Sequence, residues 1–284
     1  MSSLNQYKLD RFIIEALHED IMDGDHTSLS CIPQAQKSRA RLLVKDNGVI
    51  SGIAIARRIF TYLDPEAVID IQIPDGSTVE YGDEAFYVSC HSQALLMGER
   101  LALNTMQRLS GISTLSRAFA QEVKGYPVTI LDTRKTTPLL RFLEKWAVEI
   151  GGCSNYRDGL YDRIMIKDNH VDAAGSITKA VERVQSYLKA NKKELDMTIE
   201  VRNMKELQEV LSLSVKARVM LDNFTIDETY EAVKVVNKRV EVEASGGIEL
   251  NNVKSVAATG VDYISVGALT HSAQSLDLSL KIIK

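Results

Sequence analysis

The second half of the chain contains six short runs of Val, Ile, Leu and Met, and each run ends in a charged or glycine-rich cluster. The runs read VTILDTRK (128–135), RIMIKDN (163–169), MTIEVR (197–202), RVMLDN (218–223), VEVEASGG (240–247) and DYISVGAL (262–269). Short continuous apolar runs are typical of strands that are buried on both faces. Helix-like amphipathic segments separate most of them, which indicates a parallel α/β sheet or barrel. The polar residues are then expected at the carboxyl ends of the strands, on the face where such folds carry their active sites.

Six clear strands are fewer than the eight of a complete (β/α)8 barrel. A further strand is expected near residues 148–156 or in the stretch before residue 128. The sequence therefore predicts an α/β fold built on an incomplete or irregular barrel, with a doubly wound sheet as the alternative.

The first part of the chain has a different pattern. Residues 8–22 space their apolar side chains along one face of an amphipathic helix. Residues 38–92 alternate apolar and polar side chains between the turn-forming triplets DNG, PDG and YGD, which predicts an antiparallel β layer. Residues 93–124 predict a long helix that Gly111 breaks or bends. These elements together indicate an α+β domain at the amino terminus.

We expect a domain boundary near residue 112. The amino-terminal α+β domain would comprise residues 1–112, and the barrel domain would comprise residues 113–271. The last residues, 272–284, are predicted to form a helix that packs back on the amino-terminal domain. Inside the barrel domain, Thr137-Pro138 predicts the start of a helix, with Thr137 as its N-cap and with glycine after its end.

The composition is that of an ordinary globular protein, with 45% hydrophobic and 25% charged residues among 284. A net charge of −4 argues against binding to nucleic acid or to an acidic membrane. The three cysteines, Cys31, Cys90 and Cys153, form no C-x-x-C pair, which is typical of reduced thiols. The amino terminus has no signal-peptide pattern, and no apolar run is long enough to span a membrane. We therefore expect a cytoplasmic protein.

Two glycine-rich segments follow the last two predicted strands. They are Ser245-Gly246-Gly247 and Val266-Gly267-Ala268. Glycine lets the backbone approach an anion closely, and the loops after the final strands of a barrel often bind phosphate through backbone N–H groups. A tight turn alone would explain either segment, but the pair at consecutive strands favours a phosphate site. His271, just beyond the second segment, is a candidate further donor.

Four cations lie at or near the ends of predicted strands: Arg134, Lys135, Arg157 and Lys167. Arg offers a planar fork for a carboxylate and Lys offers a point charge, so this set suits a ligand with several negative charges. Lys167 ends a buried run, where an ammonium group needs an anionic partner. We expect the nearby Arg141 and Arg163 to form surface ion pairs instead.

Two carboxylates, Glu200 and Asp222, end consecutive predicted strands. Such hard oxygen ligands can hold Mg²⁺ jointly with phosphates and waters. Alternatively, each carboxylate pairs with Lys167 or Arg202. His170, which follows a strand end, is expected to be a structural hydrogen-bonding residue. The residues alone thus indicate a Mg²⁺-assisted reaction on a phosphorylated substrate, with a second polyanionic substrate held by Arg and Lys.

Five segments, taken in order, resemble the quinolinate phosphoribosyltransferase family. They are GERLALNTMQRLSGIST (98–114), LDTRKTTP (131–138), GGCSNYRDGLYDRIMIKDNH (151–170), EVEASGGI (241–248) and SVGALTHSA (265–273). The resemblance runs through most of the chain, and the combination of DTRKT, IKDNH and ASGGI is specific. It implies a type II phosphoribosyltransferase, with an amino-terminal α+β domain and an incomplete, seven-stranded α/β barrel.

The resemblance also implies a reaction. Phosphoribosyl would pass from 5-phosphoribosyl 1-diphosphate to quinolinate with decarboxylation, giving nicotinate mononucleotide, CO₂ and diphosphate for NAD biosynthesis. Mg²⁺ would be required as a cofactor. The family further implies a homodimer or a multiple of dimers, in which the neighbouring chain completes each site.

Individual roles follow from the same resemblance. Arg100 would reach into the partner's site and contact quinolinate. Four residues would be catalytic: Lys135, Lys167, Glu200 and Asp222. The two carboxylates among them would contact ribose hydroxyls and Mg²⁺. The substrate-binding residues would be Arg100, Thr133, Arg134, Lys135, Tyr156, Arg157, Lys167, Glu200 and Asp222. The phosphate-binding residues would be Ser245, Gly246, Gly247, Val266, Gly267, Ala268 and His271.

Two positions depart from the family pattern. The family usually has histidine where this chain has Tyr156, and a histidine can add positive charge beside a substrate carboxylate. Tyrosine can still donate one hydrogen bond but offers no charge. At Arg202 an acidic residue is more common.

Three alternatives stay open from the sequence. One is a barrel lyase that uses Lys167 as a Schiff-base nucleophile. The second is a protein of the same fold associated with molybdenum transport. The third is a nicotinate-specific transferase of the same fold, against which the number of basic residues argues, since a monocarboxylate needs fewer basic contacts.

Overall fold

The computed structural model describes residues 5–283, which divide into two compact units. Unit 1 consists of the described residues up to Arg117, the segment Thr137–Gly152 and the described residues from Ser272 onward. Unit 2 consists of Ala118–Thr136 and Cys153–His271. The division differs from the expected boundary near residue 112, because residues 137–152, assigned to the barrel domain from the sequence, fold with unit 1.

Unit 1 combines helices with antiparallel strands. Its strands are β1 (Lys37–Val44), β2 (Gly48–Val49), β3 (Val68–Ile71), β4 (Thr78–Val79), β5 (Glu84–His91) and β12 (Leu278–Ile283). Its helices are α1 (Gln6–Ile21), α2 (His26–Cys31), α3 (Ile53–Leu63), most of α4 (Ser92–Glu122), and α5 (Arg141–Gly151). One sheet has the order β12-β1-β5-β3, and β2 pairs with β4. The predicted opening helix and the antiparallel layer are confirmed.

Helix α3 lies inside the segment that was predicted to be a β layer. Its apolar residues recur with the spacing of a helix, and Ile53, Ala56 and Phe60 are buried on one face. Asp75 accepts the backbone N–H of Ile53 at 2.9 Å and that of the next residue at 3.2 Å. The first N–H groups of a helix have no partner within the helix. Asp75, which is distant in sequence, therefore caps the amino end of α3.

The carboxyl-terminal segment forms strand β12, and the helix predicted over residues 272–284 is wrong. Leu278 and Leu280 are buried and alternate with more exposed residues, which is the period of a strand. The strand pairs with β1, where Leu280 lies opposite Leu42. The segment therefore joins the antiparallel sheet as an edge strand. Lys284 lies outside the described residues.

Gly111 does not break α4, which continues through it without interruption. A Cβ atom at Gly111 would lie 1.9 Å from the carbonyl oxygen of Gln274. The glycine is therefore required because another stretch of backbone approaches the helix closely, not because the helix ends there.

Helix α5 begins at Arg141, three residues after Pro138, so the predicted N-cap is wrong. The backbone N–H and the hydroxyl of Thr137 both donate to Glu144, at 3.0 and 2.8 Å. Thr137 is thus held by a side chain of α5 in a turn that precedes the helix. Gly152 follows the end of α5 in the left-handed conformation, as predicted.

Unit 2 is built on a parallel sheet. Its strands are β6 (Thr129–Leu131), β7 (Ile164–Ile166), β8 (Met197–Val201), β9 (Arg218–Asp222), β10 (Val242–Ser245) and β11 (Tyr263–Ser265). Their order is β6-β11-β10-β9-β8-β7, so every apolar run gives one strand. An isolated parallel bridge between Leu131 and Ser154 adds a seventh short segment beside β6, where a further strand was expected. This arrangement is the predicted incomplete α/β barrel.

The helices of unit 2 alternate with its strands. They are α6 (Asp168–Ala174), α7 (Ile177–Ala190), α8 (Met204–Ser212), α9 (Ile226–Val236), α10 (Val253–Ala258) and α11 (Ala268–His271). Strand β8 is buried along its whole length, as expected for a sheet with both faces covered. Between residues 5 and 283, no helix is both long enough and apolar enough to cross a lipid bilayer.

Candidate active site

Most predicted site residues of unit 2 lie at the carboxyl ends of its six parallel strands, whereas Tyr156 and Arg157 lie in the irregular segment before β7. Thr133, Arg134 and Lys135 follow β6, Lys167 follows β7, Glu200 lies in β8, Asp222 ends β9, Ser245 ends β10, and Val266, Gly267 and Ala268 follow β11. Neighbouring strands lie roughly 4.8 Å apart, so side chains that follow adjacent strands come close together.

Lys167, Glu200 and Asp222 form a charged cluster at the ends of β7, β8 and β9. Lys167 Nζ donates a hydrogen bond to Glu200 Oε2, and the Glu200 side chain is only 4% exposed. Burial, and then the negative charge of Glu200, raise the pKa of Asp222 above its ordinary value, while Lys167 lowers it. The repulsion between the carboxylates is thus only partly offset by this cation.

The carboxylate pair fits a hard divalent cation. Mg²⁺ takes oxygen ligands and is often held by one or two carboxylates together with substrate phosphates and waters. A cation between Glu200 and Asp222 would relieve the repulsion that helps to raise the pKa of Asp222. Within the described part of the chain, no group of three or more His, Cys, Asp or Glu side chains could hold a metal. Oxygen atoms of a substrate would therefore complete the coordination.

Arg134 and Arg157 bring two guanidinium groups near each other. Burial, and then the charge of Arg134, lower the pKa of Arg157. Arg157 Nη1 donates to the carbonyl oxygen of Arg163 at 3.4 Å, which orients the side chain. A ligand with two carboxylates would relieve the repulsion between these cations, and guanidinium groups match carboxylates in shape.

Lys135, Gly267 and His271 are neighbours around the turn after β11. The Thr270 hydroxyl donates to the carbonyl oxygen of Lys135 at 2.8 Å, which ties the two turns together. A Cβ atom at Gly267 would lie 3.1 Å from both Lys135 Cδ and His271 Nε2. Glycine at this position leaves room beside a lysine and a histidine, where an anionic group could be bound.

Gly246 and Gly247 form the turn after β10, and both have positive φ values, 91° and 61°. At Gly246 a Cβ atom would lie 2.2 Å from Asn223 Oδ1, so the turn packs tightly against the residue after β9. At Gly247 a Cβ atom would meet no atom within 4 Å. The backbone is thus accessible at the second glycine, which is what a phosphate bound through N–H groups requires.

Tyr156 directs its side chain toward the strands. Its hydroxyl lies 2.7 Å from the hydroxyl of Thr198 in β8, and its backbone N–H donates to Asp132 Oδ1 at 2.8 Å. The guanidinium carbons of Arg163 and Arg218 lie 5.5 and 5.4 Å from the centre of its ring. Burial raises the pKa of Tyr156 to about 12, so the hydroxyl is protonated at neutral pH.

Arg100 lies on α4 in unit 1 and is exposed. Its guanidinium makes no hydrogen bond or ion pair with any other residue from 5 to 283. Its expected role in a neighbouring chain stays a prediction, although an exposed cation with no internal partner is compatible with it.

Three further polar residues near the strand ends have structural partners. His170 Nδ1 accepts the backbone N–H of Lys167 at 3.0 Å, which confirms its expected structural role. Arg163 forms an ion pair with Asp196 at 3.3 Å, also as predicted. Arg202 pairs with carboxylates of α6 and α8, and is therefore not the partner of the active-site acids.

Sequence reasoning missed a polar network inside the same sheet. It consists of Thr198, Arg218, Glu243 and Ser265. Glu243 has no exposed surface and accepts hydrogen bonds from Arg218 Nη1, at 3.2 Å, and from the hydroxyls of Ser265 and Tyr156. The sequence did contain one signal: Glu243 is a charged residue inside a buried apolar run, and such a residue requires a partner. Its partners come from other segments and could not be identified from the sequence.

Comparison with known proteins gives a consistent result. The family model described as quinolinate phosphoribosyl transferase, C-terminal domain, matches residues 112–281, and the model of the N-terminal domain matches residues 25–110. Quinolinate phosphoribosyltransferase (decarboxylating) 1 of Nicotiana glauca is 43% identical over 291 residues, which cover 97% of this chain and 83% of that protein.

Two further proteins extend the comparison. The probable nicotinate-nucleotide pyrophosphorylase (carboxylating) of a Synechocystis strain is 40% identical over 279 residues, covering 97% of this chain and 93% of its own. Among solved structures, NadC from Streptococcus pyogenes superimposes with a TM-score of 0.93 at 32% identity and covers 100% of both chains. The likeness therefore extends through both parts of the chain.

Proposed function

The chain belongs to the quinolinate phosphoribosyl transferase family, and we propose that the charged strand ends of unit 2 bind both substrates of the family's reaction. The enzyme transfers phosphoribosyl from 5-phosphoribosyl 1-diphosphate to quinolinate with decarboxylation, in the biosynthesis of NAD. It is a pentosyltransferase of the nicotinate-nucleotide pyrophosphorylase type. One observation carries the proposal for the site: three cations, two acids and two glycine turns lie at the carboxyl ends of one parallel sheet, with Arg157 close to Arg134.

The charges divide between the two substrates. Quinolinate, a dicarboxylate, lies against Arg134 and Arg157, which the repulsion between them favours. Thr133 and Lys167 also contact the substrates, and Tyr156 adjoins Arg157. The phosphate of the second substrate lies on the turns at Ser245, Gly246 and Gly247 and at Val266, Gly267 and Ala268, beside His271. Lys135, which adjoins Gly267, contacts the diphosphate.

Catalysis rests on positioning and charge. The bond between C1 of the ribose and the diphosphate breaks, and the ring nitrogen of quinolinate forms the new bond to C1. The quaternised ring then accepts the electron pair left when the 2-carboxylate departs as CO₂, and a proton takes its place on carbon. No side chain forms a covalent bond, because the residues act by orienting two polyanions and screening their repulsion.

Glu200 and Asp222 are the residues that would hold Mg²⁺ and ribose hydroxyls. The ion would supply positive charge to the departing diphosphate. The ion pair with the partly exposed Lys167 keeps the buried Glu200 in place.

The functional unit is a homodimer or a multiple of dimers, with Arg100 completing the site of the neighbouring chain. The exposure of Arg100 supports this assignment. We assign the reaction to the cytoplasm, in keeping with three cysteines that form no disulfide.

The test is direct. The purified protein is mixed with quinolinate, 5-phosphoribosyl 1-diphosphate and Mg²⁺, and nicotinate mononucleotide and released CO₂ are measured. Both products should form in equal amounts, and nicotinate should not replace quinolinate. Turnover of nicotinate alone would favour the monocarboxylate transferase, and trapping of a carbonyl compound on Lys167 by borohydride would favour the lyase.

Lys135 provides the residue-level test. Lys135→Ala should lower kcat/KM by about 10²- to 10³-fold, the usual range for removing one group that stabilises charge in the transition state. Lys234→Ala is the matched control, because Lys234 forms an exposed ion pair with Glu231 on α9. A Lys135→Ala variant with unchanged kinetics would exclude Lys135 from the site.

A further inference from the structure

A polar layer lies directly beneath the candidate active site, on the same face of the parallel sheet. Side chains two residues apart on a strand point to the same face. Thr198 therefore shares a face of β8 with Glu200, and Glu243 shares a face of β10 with Ser245. The first member of each pair lies toward the amino end of its strand, below the residue at the strand end.

This layer is closed to solvent. Thr198 and Glu243 have no exposed surface, and Arg218 is 8% exposed. Arg218 bonds to Glu243 at 3.2 Å, and Arg163 Nε donates to the Thr198 hydroxyl at 3.0 Å. A substrate bound at the strand ends cannot touch Thr198. Hydrogen bonds in such a buried network are strong, and leaving one of their groups unpaired is costly.

Tyr156 connects this layer to the segment that carries Arg157. The segment, residues 153–163, has no helix and no strand beyond the single bridge at Ser154. The Tyr156 hydroxyl lies 2.7 Å from the Thr198 hydroxyl and also donates to the Glu243 carboxylate, and the Tyr156 backbone N–H donates to Asp132 Oδ1 at 2.8 Å. An irregular segment is thus attached to the sheet through both the side chain and the backbone of one residue.

Arg157 needs such an attachment because it lies near a second cation. Burial, and then the charge of Arg134, lower the pKa of Arg157. Before a dicarboxylate binds, this repulsion favours conformations in which the two guanidinium groups separate. The structure opposes that separation by the hydrogen bond from Arg157 to the Arg163 carbonyl and by the anchoring of the adjacent Tyr156.

We propose that Tyr156 is a positioning residue that acts through Arg157: its hydroxyl, bonded to Thr198, holds the segment 153–163 so that Arg157 stands ready to bind the dicarboxylate substrate. The proposal rests on the proposed function. The Tyr156 hydroxyl then bonds to groups inside the sheet and not to the substrate. Thr198 takes part in the same positioning, although no substrate reaches it.

The experiment measures separate KM values for quinolinate and 5-phosphoribosyl 1-diphosphate in Tyr156→Phe, which keeps the ring and removes the hydroxyl. The quinolinate KM should rise about 3- to 10-fold, the usual effect of one hydrogen bond. The KM of the other substrate and kcat should change less than about twofold. Thr198→Val should raise the quinolinate KM in the same way but by less, because the Tyr156 hydroxyl keeps its bond to Glu243, and Thr198→Ser, which keeps a hydroxyl, should retain the wild-type KM.

Tyr263→Phe is the matched control. The Tyr263 ring also packs on Arg218, with the guanidinium carbon 3.5 Å from the centre of the ring. Its hydroxyl, however, donates to the exposed Glu241. It follows that all three kinetic constants should stay at wild-type values. A general loosening of the sheet would instead change them in Tyr263→Phe as well, and would contradict a specific role for Tyr156.

A double-mutant cycle separates positioning from direct contact. If Tyr156 acts through Arg157, then Tyr156→Phe should add little to the effect of Arg157→Ala on the quinolinate KM. Additive effects would show that the Tyr156 hydroxyl contacts quinolinate itself and would overturn the proposal. So would a Tyr156→Phe enzyme with an unchanged quinolinate KM.

The same assay distinguishes failure of this proposal from failure of the proposed function. Wild-type protein that makes no nicotinate mononucleotide would overturn both. Active wild-type protein with additive or absent effects in the variants would overturn only the role of Tyr156. Thermal unfolding of each variant shows whether it is folded. If Thr198→Val does not fold, the quinolinate KM of Tyr156→Phe and the double-mutant cycle test the role of Tyr156.

Discussion

Glu200 and Glu243 are buried carboxylates on neighbouring parts of one sheet, yet they have partners of different kinds. Glu200 pairs with Lys167, whose side chain is 43% exposed and can therefore meet a ligand. Glu243 pairs with Arg218, which is itself buried. Burial raises the pKa of Glu243, and bonds from Ser265 and Arg218 lower it. A pair with one accessible member can exchange its contacts during a reaction, whereas a sealed pair serves the structure.

The cysteines give a prediction at the same scale. Burial raises the pKa of Cys90 to about 11 and that of Cys153 to about 12, whereas Cys31 is exposed. The buried thiols stay protonated and shielded at pH 8, and the thiolate is the reactive species. A chromogenic disulfide reagent should therefore react rapidly with one thiol in the native protein and with three after denaturation. Rapid reaction of all three in the native state would contradict this burial.

Helix α4 shows how one element serves several purposes. It carries Arg100 on an exposed position and contains two glycines that allow close packing within unit 1. At Gly111 the neighbour is the backbone of Gln274, whereas a Cβ atom at Gly98 would lie 2.9 Å from the ring of Phe60. Backbone cannot move aside as readily as a side chain, so the two glycines differ in how far they tolerate substitution.

This difference predicts the stabilities of two alanine variants. Gly111→Ala should lower the free energy of unfolding by about 1–3 kcal/mol or more, because the new methyl group overlaps a carbonyl oxygen. Gly98→Ala should be less destabilising, since alanine gains roughly 1 kcal/mol in helix propensity and a side chain can adjust. Denaturant unfolding of both variants measures the order. Equal free energies of unfolding for the two variants would show that the backbone at 273–275 can move away from residue 111 without loss of stability.

At the scale of the whole molecule, unit 1 is assembled from three separate pieces of the chain. The last of these supplies β12, so the carboxyl terminus completes the sheet that the amino-terminal half begins. The residues of the candidate site described above lie within unit 2, and the proposed contribution of Arg100 would come from a neighbouring chain. An enzyme that takes one site residue from a neighbouring chain is active only as an oligomer.

Mixing two inactive variants tests this dependence. Arg100→Ala and Lys135→Ala should each be nearly inactive alone. After the two are mixed, unfolded and refolded together, about a quarter of wild-type activity should return, since random pairing gives half heterodimers with one intact site each. Mixing wild-type protein with itself through the same cycle provides the reference. No recovery in the mixture, with good recovery of the wild type, would place Arg100 and Lys135 in the same site of one chain.

The amino-acid sequence alone was enough to predict the six parallel strands and the polar residues at their ends. Apolar periodicity is a local property, and the carboxyl ends of parallel strands meet whatever the rest of the chain does. It also determined the family, through motifs that stand in order along the chain. Local pattern was insufficient where a contact with a distant part of the chain determines the structure. Asp75 caps the first turn of α3, and pairing with β1 makes the last residues a strand. The close approach of the Gln274 backbone explains why residue 111 is glycine.

The hydrogen-bond partners of Tyr156, Thr198 and Glu243 could be identified only in the folded chain. Each belongs to a different segment, and no spacing along the chain relates them. A polar group inside a buried strand must be paired, but the sequence does not say with what. Folding brings the hydroxyls of Tyr156 and Thr198 to 2.7 Å, because the irregular segment 153–163 lies against β8.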